Sequence, residues 1–205
     1  NGIMRTLFTA PQPIAGGRGL WVRSDTSEVW YASGTTLWRW TPGGGAAALT
    51  NVFVDLANIR GDEATGDLYI CDRGANLVYR RSPAGVLSRF AGNGTRSPHD
   101  EGYPILETGL QYPRCISFLA NGGYLLSEHD DGNNVWYVDP FGIAHILLDG
   151  SSKAHAGDGE WFYASHTVNK IAKPRSVTLD RRGNIIVVEN DYGYVRRIRF
   201  ESLRP

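Results

Sequence analysis

The sequence predicts an all-β fold, a β-propeller of four-stranded antiparallel blades, and three observations carry that expectation. The first is an internal repeat. Aligned on the turn after the third apolar run of each unit, "LWRWTPGG" places Pro42, "LVYRRSPAG" places Pro83, "VWYVDPFG" places Pro140, and "VRRIRFES" puts Phe200 at the same point. The intervals are 41, 57 and 60 residues, units that cannot bury both faces alone and must stack on one another. The second is composition, since 25 Gly beside 6 Trp, 10 Tyr and 7 Phe favours turns and strands over helices. The third is the lack of a competitor: no helix-period segment of more than about ten residues appears, and the region 160–170 holds a helical turn at most.

Taken in order, the units supply strand-length runs bounded by Gly, Pro, Asn and Asp. Unit one runs from "GGRGLWVRSDTSEVWYAS" into "LWRWTPGG". Unit two gives "IRGDEA", "DLYICD", "LVYRRS" and "VLSRFAG"; unit three gives "CISFLA", "YLLSE", "VWYVD" and "AHILLD". Unit four has three runs, "SVTLD", "IIVVE" and "VRRIRF". The opening "IMRTLFTA" reads as the missing fourth strand, so the expected architecture is one domain over 1–205, four blades, closed by pairing residues 3–10 with 195–200. A chain that starts at Asn1 also fits a processed protein, or a piece or one domain of a larger secreted one.

Bulk properties narrow the partners. Lys plus Arg and Asp plus Glu both count 21, which gives no support for nucleic acid as a partner. No run of about 18 apolar residues is present, so no membrane insertion is expected. Cys71 and Cys115 form neither a disulfide framework nor a thiolate metal site. They read as two small buried residues or as one inter-sheet disulfide, the latter requiring an oxidising compartment. "NGT" at Asn93 is a glycosylation acceptor pattern. The expected location is secreted, extracellular or periplasmic.

A shared grammar raises the question of site residues. Arg18, Arg60, Arg114 and Arg175 each precede or enter a first apolar run, and the second run usually ends in an acid. In an antiparallel blade the start of the first strand lies beside the end of the second. The expected pairs are therefore Arg60 with Asp72, Arg114 with Glu128 or His129, and Arg175 with Glu189. Ser33 stands where unit one should have its acid, which leaves Arg18 as a free donor. The alternative is an axial anion site, in which the four guanidinium groups hold a carboxylate, phosphate or sulfate.

The same topology gathers the fourth-to-first and second-to-third connections on one face. Both long insertions, 92–113 and 149–174, fall there, with His99, His129, His155 and His166. His129, His155 and Asp158 are metal candidates by residue type, and "HDDGNN" from His129 is dense in oxygen ligands. Calcium or zinc is thereby allowed, but no tight ligand spacing calls for either, and no cofactor is expected. Tyr103, Tyr112, Trp161, Phe162, Tyr163, Tyr192 and Tyr194 supply contact area, with Trp161, Tyr163 and Tyr192 the foremost binding candidates. "GNGT" and "AGDGE" match no phosphate-loop pattern, and no G-x-S-x-G nucleophile elbow is present.

"YICDRGANLVYRRSPAGVLSRFAGNGT" and "GDGEWFYASHTVNKIAKPRSVTLDRRGNIIVVENDYGYVRRI" resemble the NHL-repeat family of β-propellers. That family's blades read as a Pro-led inner strand, a second strand ending "Y-V-A-D", a third of the form "N-x-I-R" and a last ending "AG". The likeness is strongest in units two and four, moderate in three and weak in one, which lacks the Pro and the acid. It implies a propeller that is a non-enzymatic binding or scaffold domain for a protein or glycan partner, within a larger assembly. Related propellers also include metal-dependent lyases and lactonase-like hydrolases, centred on His or acids that project from inner strands into the axis. The inner strands "LWVRS", "CISFL" and "SVTLD" offer almost none of these, so the residues favour the binding reading over an enzyme.

Overall fold

A computed structural model describes residues 2–16, 18–97, 101–129, 134–150, 155–160, 170–190 and 193–199. Strands form where β-branched and aromatic residues run between turn signals, and they group into four antiparallel sheets. Blade A holds β1 (Leu20–Val22), β2 (Val29–Ser33), β3 (Thr36–Thr41) and β4 (Gly45–Thr50). Blade B holds β5 (Leu56–Gly61), β6 (Leu68–Asp72), β7 (Leu77–Arg81) and β8 (Leu87–Ala91). Blade C holds β10 (Pro113–Phe118), β11 (Tyr124–Glu128), β12 (Val135–Val138) and β13 (Ile143–Leu148), with the short β9 (Tyr103–Pro104) on its outer edge. Blade D holds β14 (Pro174–Leu179), β15 (Ile185–Glu189) and β16 (Tyr194–Ile198). Blades A to C therefore have the expected four strands in a simple up-and-down order, and D has three.

The two-residue period of the strands explains how the blades stack. In β11, Leu126 turns toward blade B and Leu125 toward blade D, and both are fully buried. One apolar cluster joins A to B around Trp30, Leu37, Phe53, Ile59 and Ile70. A second joins B to C through Cys71, Val78, Ile116 and Trp136, and a third joins C to D through Leu125, Val135, Val177 and Val187. Close approach between A and B depends on Gly61, where a Cβ would fall 2.2 Å from the Trp21 ring. Among the described residues no such cluster joins D to A.

The expected closure by the N-terminal segment is not formed. Residues 2–10 carry no strand, and β16 pairs with β15 alone among the described residues. Ile3 and Met4 stay exposed, while Phe8 leaves the chain path to stack on Trp40 at 5.2 Å. The aromatic face of its own first blade captures the segment that was expected to reach blade D. Among the described residues the sheets do not close into a ring.

The first insertion also differs from an exposed binding loop. Ile105 N–H donates to Gly142 O at 2.8 Å and Gly92 N–H to Ile105 O at 3.0 Å, which fastens the insertion to the edge of blade C. Ile105, Thr108 and Leu110 are buried, the first and last inside the B–C cluster. Ile105, Thr108 and Leu110 thus anchor 92–113 in the core where it covers a sheet edge, while residues 94–97 and 106–107 stay exposed. Leu110→Ala should consequently lower unfolding free energy by about 2–5 kcal/mol, read from the midpoint of a urea titration at unchanged slope.

Candidate functional site

Each second strand ends in a polar side chain, and those four side chains share one task. Asp72 accepts N–H bonds from Val54 and Asp55, both at 2.9 Å, and from Ala75 at 3.2 Å. Glu128 accepts from Gln111 N–H at 2.6 Å, and Glu189 accepts from Ala172 N–H at 2.9 Å. Ser33 does the same in blade A, its Oγ taking the N–H of Ala15 at 3.0 Å. Every one of these donors lies in the segment that leads into the first strand of the same blade, apart from Ala75 in the β6–β7 turn. The acids clamp backbone.

This clamp corrects the expected arginine pairs. Leu56 faces Asp72, Pro113 faces Glu128 and Pro174 faces Glu189, and in all three blades the next residue is bulged out of register. The bulged residues are Ala57, Arg114 and Arg175. Arg60 is not their counterpart: it sits opposite Tyr69, toward the far end of β5. Its acid is already satisfied by backbone, so no ion pair joins Arg60 to Asp72. Glu128 likewise takes Gln111 rather than Arg114, which is buried at 7% exposure. Glu189 receives Arg196 Nη1 at 3.1 Å, while Arg175 is exposed and has no ion-pair partner among the described residues.

Arg18 is not a free donor either. Its Nη1 meets Asp55 Oδ1 at 2.8 Å, and Arg73 Nε bonds the other oxygen of Asp55. Asp55 belongs to the segment clamped by Asp72, so this triad links blade A to blade B on the clamp face. Next to it, Tyr112 lies between two guanidinium groups, Arg96 at 4.1 Å from the ring centre and Arg73 at 5.8 Å. Asp55, Arg73 and Arg96 are not legible from the strand-end grammar because they sit outside the strands, and Arg196 because it lies mid-strand in β16. The "CDRG" turn after Asp72 was the one available signal for Arg73.

The second insertion is tied down by a charged knot. His155 has Nε2 at 2.7 Å from Asp158 and Nδ1 at 3.3 Å from the buried Glu189. Arg196 donates to Asp158 at 2.9 Å, to Glu189, and to the carbonyls of Lys170 and Ala156 at 2.6 and 2.7 Å. The guanidinium occupies the place where a cation would neutralise these carboxylates. Among the described residues no three His, Cys, Asp or Glu side chains are arranged to hold a metal ion. His129 is buried, and its N–H donates to Tyr112 O at 3.2 Å. Trp161, Tyr163 and Tyr192 lie outside the described residues, as do Asp130 to Asn133 of "HDDGNN".

Cys71 and Cys115 are both free and buried. Burial pushes the Cys71 thiol well up, helped by the nearby Cys115 and Asp72. Asn93 spends its side-chain N–H on Glu107 O at 2.6 Å and takes Thr95 on its oxygen.

No family model matches the chain, nor does any curated protein. Solved structures do. A Bacteroides thetaiotaomicron structural genomics protein of unknown function superposes with a TM-score of 0.74 at 13% identity, covering 89% of this chain and 47% of that one. An auxiliary nutrient binding protein from Bacteroides ovatus gives 0.70 at 18%, covering 91% and 49%. Virginiamycin B lyase from Staphylococcus aureus gives 0.60 at 16%, covering 96% and 59%. The chain spans about half the length of the first two. At these identities the likeness shows the propeller fold.

Two outcomes test the clamp. Asp72→Ala strands three part-buried backbone donors and Ser33→Ala one exposed donor that water can reach, so the first should destabilise several times more. Hydrogen exchange at Val54 and Asp55 should accelerate in Asp72→Ala ahead of global unfolding. Glu128 gives a pH signature, since burial pushes its carboxyl from the ordinary 4.5 up to about 7, against the lowering effect of the Gln111 N–H. The native state then holds a proton that the unfolded chain releases, so this contribution is complete below pH 4.5 and lost as pH rises toward 7. Relative to Glu128→Gln, wild-type protein should lose stability between pH 5 and pH 8, as measured by paired urea titrations.

Proposed function

We propose that the chain is a non-enzymatic, NHL-type binding propeller that contacts a protein or glycan through its clamp face. The observation behind this reading is how the polar groups of that face are spent. Ser33, Asp72, Glu128 and Glu189 hold backbone, and both ring nitrogens of His155 are engaged by carboxylates. A general base needs a lone pair open to substrate, and each of these groups is engaged by backbone or an ion pair except Glu128 Oε2, which is buried out of reach of solvent. The same face meanwhile presents Arg96, stacked on Tyr112, and the exposed Arg175. Trp161, Tyr163 and Tyr192 extend that surface by sequence, and aromatic and Arg side chains are the usual anchors of an interface.

The likeness to an auxiliary nutrient binding protein supports this reading and a secreted, extracellular or periplasmic setting. The likeness to virginiamycin B lyase motivates the competing one, a channel-centred metal-dependent lyase or lactonase-like hydrolase. A glycan array and a displayed-peptide selection, followed by biolayer interferometry on variants, decide between them. Tyr112→Ala with Arg96→Ala should weaken the selected interaction at least tenfold, about 1.4 kcal/mol, as should Trp161→Ala with Tyr163→Ala. Phe141→Ala, in the β12–β13 turn on the opposite face, should leave it unchanged. Equal loss in Phe141→Ala, or divalent-metal-dependent lactone turnover by the purified protein, overturns the proposal.

A further inference from the structure

The seam between blades A and B carries more positive charge than its acids balance. Arg39 of β3 and Arg81 of β7 both lie over the Trp30 ring, each guanidinium carbon 5.4 Å from the ring centre. Arg89 of β8 is exposed on the same side of blade B as Arg81. We infer that this seam is a binding site for a phosphate monoester. It lies between two four-stranded blades and away from the clamps, so the inference does not rest on the clamp-face reading.

Strand register places the three cations together, because directly paired residues share one face of a sheet. Arg39 pairs with Trp30, a member of the apolar cluster that joins A to B, so both turn toward blade B. Arg81 pairs with Leu87 and Arg89 with Tyr79, and those two partners pack on the same cluster from the other side. Arg81 and Arg89 therefore turn toward blade A. Arg81 is also held in place: its Nη1 donates to Ser82 O at 3.3 Å, and a Cβ on Gly85 would fall 3.1 Å from its Nη2. A donor fixed in advance spares a ligand the cost of ordering it. Since β7 starts beside Asp72 and ends at Arg81, the cluster sits toward the end of the blades opposite the clamps.

Charge selects the ligand. Glu28 takes Arg39, and among the described residues neither Arg81 nor Arg89 has an acid partner. Three guanidinium groups against one carboxylate leave a surplus of two positive charges. Asp25 and Asp67, in the β1–β2 and β5–β6 turns at the same end of the blades, are spent on Arg23 and Arg80. Arg81 is half-buried, and its burial together with the charge of Arg39 lowers its pKa, as expected of a cation beside another cation. Drawing a cation out of water without a counter-charge is costly, and the indole face returns only part of that cost. Guanidinium groups offer forked N–H donors that match the oxygens of a phosphate. A phosphate monoester carries close to two negative charges at neutral pH and so matches the surplus. A carboxylate or a sulfate monoester carries one and neutralises half of it.

The test is calorimetric titration of the intact chain with glucose 6-phosphate, inorganic phosphate, glucose 6-sulfate and glucuronate at constant ionic strength, because salt screens exposed charges. Glucose 6-phosphate should bind saturably in the millimolar range or tighter, and more tightly than glucose 6-sulfate or glucuronate. Its affinity should fall as pH drops below about 6, where the monoester takes up its second proton, while that of glucose 6-sulfate should not change. Arg81→Gln should weaken binding about tenfold or more, the worth of a hydrogen bond to a charged group. Arg89→Gln, at an exposed position where the fold is not at stake, should weaken it as well. Arg96→Ala with Tyr112→Ala, on the clamp face, should leave it unchanged. No saturation by glucose 6-phosphate, tighter binding of inorganic phosphate, equal affinity for glucose 6-sulfate, or an affinity untouched by both Arg81→Gln and Arg89→Gln overturns the inference. Equal loss in the clamp-face variant overturns this site too, and a partner interaction lost there alone leaves both readings standing.

Discussion

The hydrogen bond that the backbone entering each first strand donates to a polar side chain at the end of the second strand is the constraint on which the propeller depends. It joins the last turn of a blade's entry to the middle of that blade, where sheet bonding alone does not reach. Asp72 shows why a carboxylate serves best: its two oxygens accept three part-buried backbone N–H groups at once. The bulge that follows, at Ala57, Arg114 or Arg175, shifts the first strand by one residue. That shift decides which side chains of the inner strand face each neighbouring blade. Ser33 performs the task in blade A with a single bond.

Function and architecture compete for the same atoms on this face. Carboxylates near the axis of a propeller invite a catalytic reading, yet here their oxygens are engaged by backbone and cations, apart from one buried oxygen of Glu128. Glu128 is the instructive case. Its Oε2 has no hydrogen-bond partner, and burial raises its pKa, so the group tends toward the neutral acid instead of offering a charge to substrate. Glu189 is handled differently, by Arg196 and His155, which also fasten the second insertion to blade D. What the clamps leave over on this face includes Arg96 and Arg73 against the Tyr112 ring and the exposed Arg175.

Periodicity made the blades legible. The apolar runs of units two to four coincide with β6, β7, β11, β12 and β15 almost residue for residue; β11 is buried along its whole length, while β7 and β15 bury one face more than the other. The first strand of blade B was misplaced. "IRGDEA" begins within β5, because the Arg of that motif drew the alignment three residues past the true bulge at Ala57. The insertions read as loops, since "YPILETGL" has neither period, and Ile105 and Leu110 are buried where the segment meets the edge of the blade C sheet.

By itself, then, the sequence determined the all-β class, the repeat, most strand positions and the presence of a polar residue at the end of every second strand. Each follows from local pattern, where a two-residue period and a turn signal suffice. Only the tertiary structure decided what those polar residues bind, that the N-terminal segment folds onto Trp40 instead of closing a ring, and that Asp55 draws Arg18 to it. Such choices turn on which of several donors lies nearest in space and which apolar face is left uncovered. Residues 37 positions apart, as Arg18 and Asp55 are, meet through the packing of two sheets, and no local spacing in the chain encodes that distance.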